Sequence, residues 1–557
     1  MPIKKDCSAE IIEKVAVIEE QCDAWGANCA LFRREWNLAA WYALTACARE
    51  LEQGIPPHER GGSKHQTAAT NLSRATYQLY IEAKQRGFKR LAGRSRMHWT
   101  LPESIVANAL KQAFSYSLCC ADFPAWHNNL YSVKSLAGTS IAFDSDAKPR
   151  AQQVMAYEKG YRPAKLRSRP TKPKMLIDAD QELLDILNTV QGRMTARGNF
   201  GFVLPDIEQL HRKLNDLFVQ KIARTFRRSV DIQLGGYTMA EYQTFHAAFL
   251  SLTSAREYLC FVWKQMGHPL PYDELVILNS SNDWVDGITK LTKLARKSVE
   301  QIVSDLTLGE DAWNCDINIC PFIPLDDSGH WLAVVPGIVL ITNTEECILR
   351  NRAARNKHFA DIASTGKEEE TREDLRNEFP QLDIQGPFKL LKGMPDVDVV
   401  IEDKKEDCVL LSELKWLQLP LFVGVRDKRT KEILKGINQI EFIYNFLSAN
   451  PDFFFKRGKM SKPLNEFKGV HYCVLCRDYI VDITDGTIPL YSYTAFKTSL
   501  EDGASLSETI AYMDSDEWLP KHSIDFIHQA QPYECNGITI TTDMLIPLYG
   551  KQLNLIE

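Results

Sequence analysis

Apolar positions recur at helical spacing through the first third of the chain, from Glu10 to Leu51 and again in "SIVANALKQAFSYSL" after Pro102, which predicts a mainly α-helical start. The same periodicity returns between Asp178 and Leu306, as in "DIEQLHRKLNDLFVQKIARTF" and "AEYQTFHAAFLSLTSAREYLCFVWKQM". Around "CPFIPLDDSGHWLAVVPGIVLIT" the pattern changes to short apolar runs broken by Asp-Asp-Ser-Gly and Pro-Gly, which predicts strand-turn-strand and a domain border near residue 310. A helix is expected next, from Glu345 to Ala363. Two apolar runs, "DVDVVI" and "CVLLSELKW", then flank the polar six "EDKKED" and read as a hairpin. Ile433, Ile437, Ile440, Tyr444 and Leu447 follow at helical spacing, and "GVHYCVLC" supplies one more strand.

The expected fold class is therefore α+β and multidomain. Helical regions at 1–147 and 177–310 precede a mixed-sheet domain at 311–500, with its core at 345–480, and residues 501–557 form an extension. Between the helical regions, Lys148 to Lys174 holds nine Lys or Arg against the single acid Glu158. That segment, 148–176, reads as a basic linker or arm, with Arg167 and Arg169 as candidate nucleic-acid contacts.

The hairpin carries an anomaly. Asp396, Asp398, Glu413 and Lys415 interrupt runs that are apolar on both faces, as Val409 and Leu411 on one side and Leu410 and Leu414 on the other indicate. A symmetric hairpin places Asp396 opposite Glu413, with Asp398 one diagonal away. Side chains alternate along a strand, so Glu413 and Lys415 share a face. Carboxylates crowded at the end of a buried strand repel one another and lose solvation, and a divalent cation removes that penalty. Mg²⁺, with Mn²⁺ able to substitute, takes oxygen ligands and usually only one or two protein carboxylates. Asp398, Glu413 and Asp396 are the candidate metal ligands, and Lys415 is placed to orient an attacking water.

Composition narrows the setting. The chain has 557 residues, 45% hydrophobic and 25% charged, which excludes disordered and fibrous classes. Fourteen scattered cysteines and the start "MPIKKDCSAE" predict a reducing, cytoplasmic setting, and no apolar run is long enough to span a membrane. A net charge of −6 leaves nucleic-acid binding to local basic patches. Cys473 and Cys476 form a CxxC without a second pair at zinc spacing, and read as core cysteines.

Pro395–Asp396 followed by Glu413–Leu414–Lys415 resembles the PD-(D/E)xK nuclease superfamily, over about residues 345–480. The resemblance implies a restriction-endonuclease-like core and a Mg²⁺-dependent nuclease acting on DNA in preference to RNA, of the kind used in restriction or anti-phage defence. It assigns metal to Asp398 or Asp396 and Glu413, and water activation to Lys415. It also implies a helix with a glutamate before the hairpin. "STGKEEETREDLRNEF" fits, with Thr365 and Glu368 as a capping box and Glu370 as the upstream acid. On the helix after the hairpin it points to Gln439 and Lys435 near the site, with Arg426 and Lys428 as further nucleic-acid contacts. A homodimer, or a partner protein bound by the helical N-terminal region, is the assembly it implies. The competing readings are an RNA-cleaving nuclease and a non-catalytic scaffold binding nucleic acid or protein.

Overall fold

The computed structural model describes residues 8–547 apart from 34, 53–62, 90–101, 128–130, 145–148, 159–180, 197–201, 204–206, 226–231, 269, 271, 310–316, 342–347, 350–356, 418–422, 478 and 483–487. The protein is a mixed α+β chain with a helical N-terminal region and mixed sheets. Among the described residues no helix is long and apolar enough to cross a membrane.

Two hydrophobic cores organise it. The first gathers buried residues from Val15 to Leu349, together with Cys535, Ile538 and Ile540. Its frame is helical: α1 (Ala9–Asp23), α2 (Trp36–Glu52), α3 (Ser63–Gln85), α4 (Glu103–His127), α6 (Glu208–Thr225) and α7 (Met239–Gln265). Helix α5 (Pro149–Glu158) leaves this core for the second. Thr238 starts α7 with a complete capping box to Glu241. A hairpin, β1 (Ser132–Ala137) and β2 (Ser140–Asp144), interrupts the helices.

The border expected near residue 310 is not where the cores divide. β3 (Ile277–Ser280) pairs with β5 (Trp331–Val334), which also pairs with β4 (Ile323–Pro324), so one antiparallel sheet spans the expected boundary inside the first core. Pro336–Gly337 opens a short helix, Pro336–Ile341, instead of a strand turn. Proline at the first helical position has no N–H to lose and arrives with its φ already set.

The second core runs from Leu375 to Leu519 and surrounds a five-stranded mixed sheet. In sequence its strands are β6 (Asp383–Gln385), β7 (Val399–Asp403), β8 (Cys408–Trp416), β9 (Gly469–Arg477) and β10 (Leu490–Ser492), and they lie side by side in that order. β6–β7 and β7–β8 are antiparallel, while β8–β9 and β9–β10 are parallel. Seven consecutive residues of β8, Cys408 to Leu414, are buried, as befits a strand covered on both faces.

Helix α8 (Lys357–Glu378) precedes the sheet. It continues through Ser364, Thr365 and Gly366, so Thr365 lies inside the helix and no capping box starts there. The helix expected to end at Ala363 and the one expected to begin at Thr365 are one element. The crossover from β8 to its parallel neighbour β9 contains α9 (Val423–Ala449). Ile433, Ile440, Ile443 and Leu447 are buried along α9, each contributing about 1.5–3 kcal/mol. Tyr444 stays on the outside, its ring edge-on to Tyr472 at 5.1 Å.

The described residues of the expected linker and of the expected extension pack into the two cores. Helix α5 falls within the basic segment 148–176 yet docks on the second core. Val154 and Tyr157 are buried there, the Tyr157 hydroxyl lies 2.9 Å from Ser492 Oγ, and Arg150 bridges Asp482 at 2.6 Å and Asp516 at 2.8 Å. Helix α10 (Tyr493–Glu501) closes the expected domain, and within the expected extension 501–557 helix α11 (Leu506–Asp514) and Trp518 complete the second core. The hairpin β11 (Phe526–Cys535) and β12 (Ile538–Pro547) then returns to the first body, where β12 pairs in parallel with β2. Tyr157→Ala should cost about 3–5 kcal/mol of stability by leaving a cavity against Trp518. Tyr157→Phe should cost about 1 kcal/mol for the lost hydrogen bond. Urea unfolding monitored by tryptophan fluorescence checks both, and equal costs would sink the docking account.

Candidate functional site

The site forms where β7 stops and β8 continues. Their register pairs Ser412 with Val399 and Cys408 with Asp403, so Glu413 stands opposite Asp398. The symmetric pairing of Asp396 with Glu413 is therefore corrected by two residues. β7 runs to Asp403 and the turn is only Lys404 to Asp407. Asp403 Oδ1 accepts the backbone N–H of Lys405 and Glu406 at 3.0 and 3.1 Å, and Asp407 takes a left-handed φ of 58°. An aspartate bonding the backbone two residues on is a turn-former, and it tightens the hairpin.

Past Val399, the carboxylate of Asp398 takes over the acceptor role of the ladder. Its Oδ2 accepts the Leu414 N–H at 2.9 Å. The Asp398 carbonyl is held in turn by Arg372 of α8 at 3.2 Å. Arg376, one helical turn on, donates to the carbonyls of Ile384 at 3.0 Å and Gly386 at 3.3 Å. Gly386, at φ 125°, lies so close to this backbone that a Cβ would meet the Asp398 carbonyl oxygen at 2.4 Å. Only glycine tolerates both the φ and the approach.

Glu413 is buried, 3% exposed, and its Oε1 accepts from Lys415 Nζ at 2.6 Å. Lys415 Nζ also donates to Gln439 Oε1 at 3.4 Å. Glu413 Oε2 is buried and meets no donor, and a proton shared with the neighbouring Asp398 carboxyl is the bond open to it. Two carboxylates thus face one ammonium in a poorly hydrated slot. Burial pushes the Glu413 carboxyl up to about 8, and the neighbouring Asp398 charge adds to the rise while Lys415 opposes it. Asp398 is also raised by burial, against the pull of the Leu414 N–H, Lys415 and Arg372. Burial would lower Lys415, but the charge and hydrogen bond of Glu413 prevail and raise it, with Asp398 and Glu368 helping. The ammonium offsets one negative charge, and the other requires a proton or a cation.

Asp398, Glu413, Lys415 and Gln439 are accordingly brought together, from the end of β7, from β8 and from α9. Asp396 stands half-buried on the loop two residues before Asp398. Glu370, the expected upstream acid, is turned elsewhere: it pairs with Lys367 at 2.8 Å and with Arg477 at 3.6 Å. Glu368, two positions earlier and read in sequence as part of a capping box, adds a small charge effect that helps raise Lys415. Of the basic candidates, Lys428 and Lys435 are exposed on α9, Arg426 lies in α9 with its side chain outside the described residues, and Arg167 and Arg169 lie outside them altogether. Cys473 and Cys476 are fully buried in β9.

Sequence reasoning missed Gly436 and Arg372. A Cβ on Gly436 would stand 2.8 Å from Lys415 Cε and 3.5 Å from Glu413 Cγ, so the glycine lets α9 lie directly over the pair. A glycine inside a helix costs about 1 kcal/mol against alanine, and that cost was its one available signal. Comparisons of the chain with protein-family models, curated proteins and solved structures return no match.

Two outcomes follow from the charge imbalance. In chelator, stability should fall as pH rises from about 4.5 toward 8. Glu413 binds its proton more tightly folded than at its ordinary value of 4.5, so its contribution is complete below 4.5 and lost through the folded value. Glu413→Gln should flatten that window in a urea-unfolding series, and an unchanged slope would refute the imbalance. Gly436→Ala should keep the fold while displacing the Lys415 ammonium, read as loss of the Lys415 to Glu413 contact in a crystal structure of the variant.

Proposed function

We propose that the unit built on α8, β6–β10 and α9–α11 is a metal-dependent nuclease of the PD-(D/E)xK type, hydrolysing phosphodiester bonds of DNA in preference to RNA in a restriction or anti-phage role. The observation that carries this reading is the surplus carboxylate charge at Asp398 and Glu413, with Glu413 Oε2 buried and meeting no donor. The element order supports it: a helix, an antiparallel strand pair ending in an acid and a Glu-x-Lys, a crossover helix, and a parallel strand.

The donor set fits Mg²⁺, a hard cation that binds oxygen, takes few protein carboxylates and retains waters. Asp398 and Glu413 would hold it. When bound, such an ion lowers the pKa of a water and stabilises charge on a phosphoryl oxygen. The chain's own groups do the rest. Lys415, charged and steadied by Glu413 and Gln439, presents N–H donors to the attacking water or to a phosphate oxygen. Asp398 is fixed by the Leu414 N–H, and Arg372 holds the backbone beneath it, so the acid pair keeps its separation through a reaction cycle. Lys428 and Lys435 are exposed on α9 and add positive charge to the unit, which draws phosphates and makes binding salt-dependent.

The test is cleavage of plasmid DNA and of single-stranded RNA by the full chain in Mg²⁺, Mn²⁺ or EDTA. Cleavage should need the divalent ion and favour DNA. Asp398→Asn, Glu413→Gln and Lys415→Met should each lower the rate by roughly 10²–10⁴-fold, with circular dichroism unchanged. Undiminished cleavage in these variants would end the assignment. Loss of RNA alone would make the enzyme a ribonuclease, and no cleavage of either polymer in any ion would favour the binding scaffold. Separately, Lys415→Met in chelator should cost stability where Glu413→Gln does not, because it strands two buried carboxylates. Urea midpoints measure that difference, and equal midpoints would contradict the pairing.

A further inference from the structure

Far from the acid pair, three cysteines meet in the first core. Cys22 lies in the last turn of α1, Cys119 in α4, and Cys535 ends β11. Their exposures are 0%, 2% and 2%, and their sulfurs all lie within 4.8 Å of one another. The positions are 97 residues (119 − 22) and 416 residues (535 − 119) apart, so tertiary structure alone brings them together.

Buried cysteine is usually a small hydrophobe, and most of the described cysteines here are buried. Yet among the described residues this is the one group of three metal-ligating side chains so placed. The backbone around it is clamped. Asn536 and Gly537, at φ 48° and 80°, turn the chain directly after Cys535. Asn536 donates to the Gln21 carbonyl at 2.7 Å and accepts from Asn28 Nδ2 at 2.8 Å, while Gln21 Nε2 donates back to the Asn536 carbonyl at 3.3 Å. The nearby acids have partners of their own: Tyr533 donates to Asp122 at 2.8 Å and Tyr116 to Asp23 at 3.0 Å. At the centre the Cys22 thiol donates to the Cys535 carbonyl oxygen at 4.0 Å, with the three sulfurs gathered around it.

We propose that Cys22, Cys119 and Cys535 form a three-sulfur binding site for a thiophilic d¹⁰ cation, zinc(II) or copper(I), which ties the β11–β12 hairpin to α1 and α4. Zinc–thiolate bonds of about 2.3 Å put sulfurs roughly 3.8 Å apart in a tetrahedral arrangement, so a slight contraction of the trio suffices. An all-sulfur donor set selects soft ions and excludes Mg²⁺ and Ca²⁺. Each sulfur that ligates as thiolate gives one proton to solvent. Three ligating thiolates release three protons and leave a net charge of −1 around zinc(II) and −2 around copper(I). No oxidation or reduction is involved.

The test uses the full chain, reduced with a phosphine, incubated separately with zinc(II) or copper(I), gel-filtered and analysed by elemental mass spectrometry. One ion per chain should be retained from one of the two arms, and that arm identifies the metal. Glu413→Gln should retain it equally, which separates this site from the acid pair. Cys119→Ala should lose it, while Cys260→Ala, another buried cysteine, should not. Should Cys119→Ala fail to fold, alkylation of the wild type in sub-denaturing urea replaces it: bound metal should slow modification of Cys22, Cys119 and Cys535 but leave Cys47 unaffected. Retention of neither ion, retention undiminished in a folded Cys119→Ala, or alkylation rates indifferent to metal would each overturn the proposal.

Discussion

Two carboxylates and one ammonium share a buried slot at the end of an antiparallel pair, and much of the second unit exists to hold them there. Desolvation penalises each charge, and the Asp398 charge pushes the Glu413 carboxyl up further. A fold that only needed stability would fill such a slot with apolar side chains, which often stabilise by 1–4 kcal/mol relative to a buried ion cluster. Retaining the imbalance concentrates strain at one place, and strain of that kind gathers where chemistry or binding is done.

The supporting parts follow from that constraint. The hairpin register must put Glu413 opposite Asp398, because a slip of one residue would send the glutamate to the other face of the sheet. Arg372 and Arg376 pin the carbonyls of the incoming strands, and Gly386 allows the chain to pass against Asp398. On the other side Gly436 admits α9 to within contact of Lys415. A Cβ at Gly386 would press on the Asp398 backbone, and one at Gly436 on the Lys415 side chain.

The threading of the chain joins the unit to the helical body. Helix α5 leaves the first body and packs into the second core, and the β11–β12 hairpin returns to pair with β2. Each body therefore contains a segment that is sequence-distant from its other parts. The Arg150 bridges to Asp482 and Asp516 and the Asn536 clamp on α1 lie at those two crossings. Contacts of such long range are slow to form, since loop closure must come before any packing reward.

The residues by themselves determined the α+β character, the hairpin with its misplaced charges, and the helix that follows it, because these depend on local periodicity and on turn chemistry a few residues long. Glu413 and Lys415 sharing a face also followed from alternation alone. Which aspartate stands opposite Glu413 did not, since a carboxylate cap in the turn shifted the register by two. Nor did the pairing of Glu370 with Lys367 and Arg477, or the value of Gly436, which is a matter of clearance between a helix and two side chains. The domain borders and the three-sulfur cluster were likewise decided only in three dimensions: both arise from pairing between segments far apart in the chain, and no local pattern records which distant surface a strand or a thiol will meet.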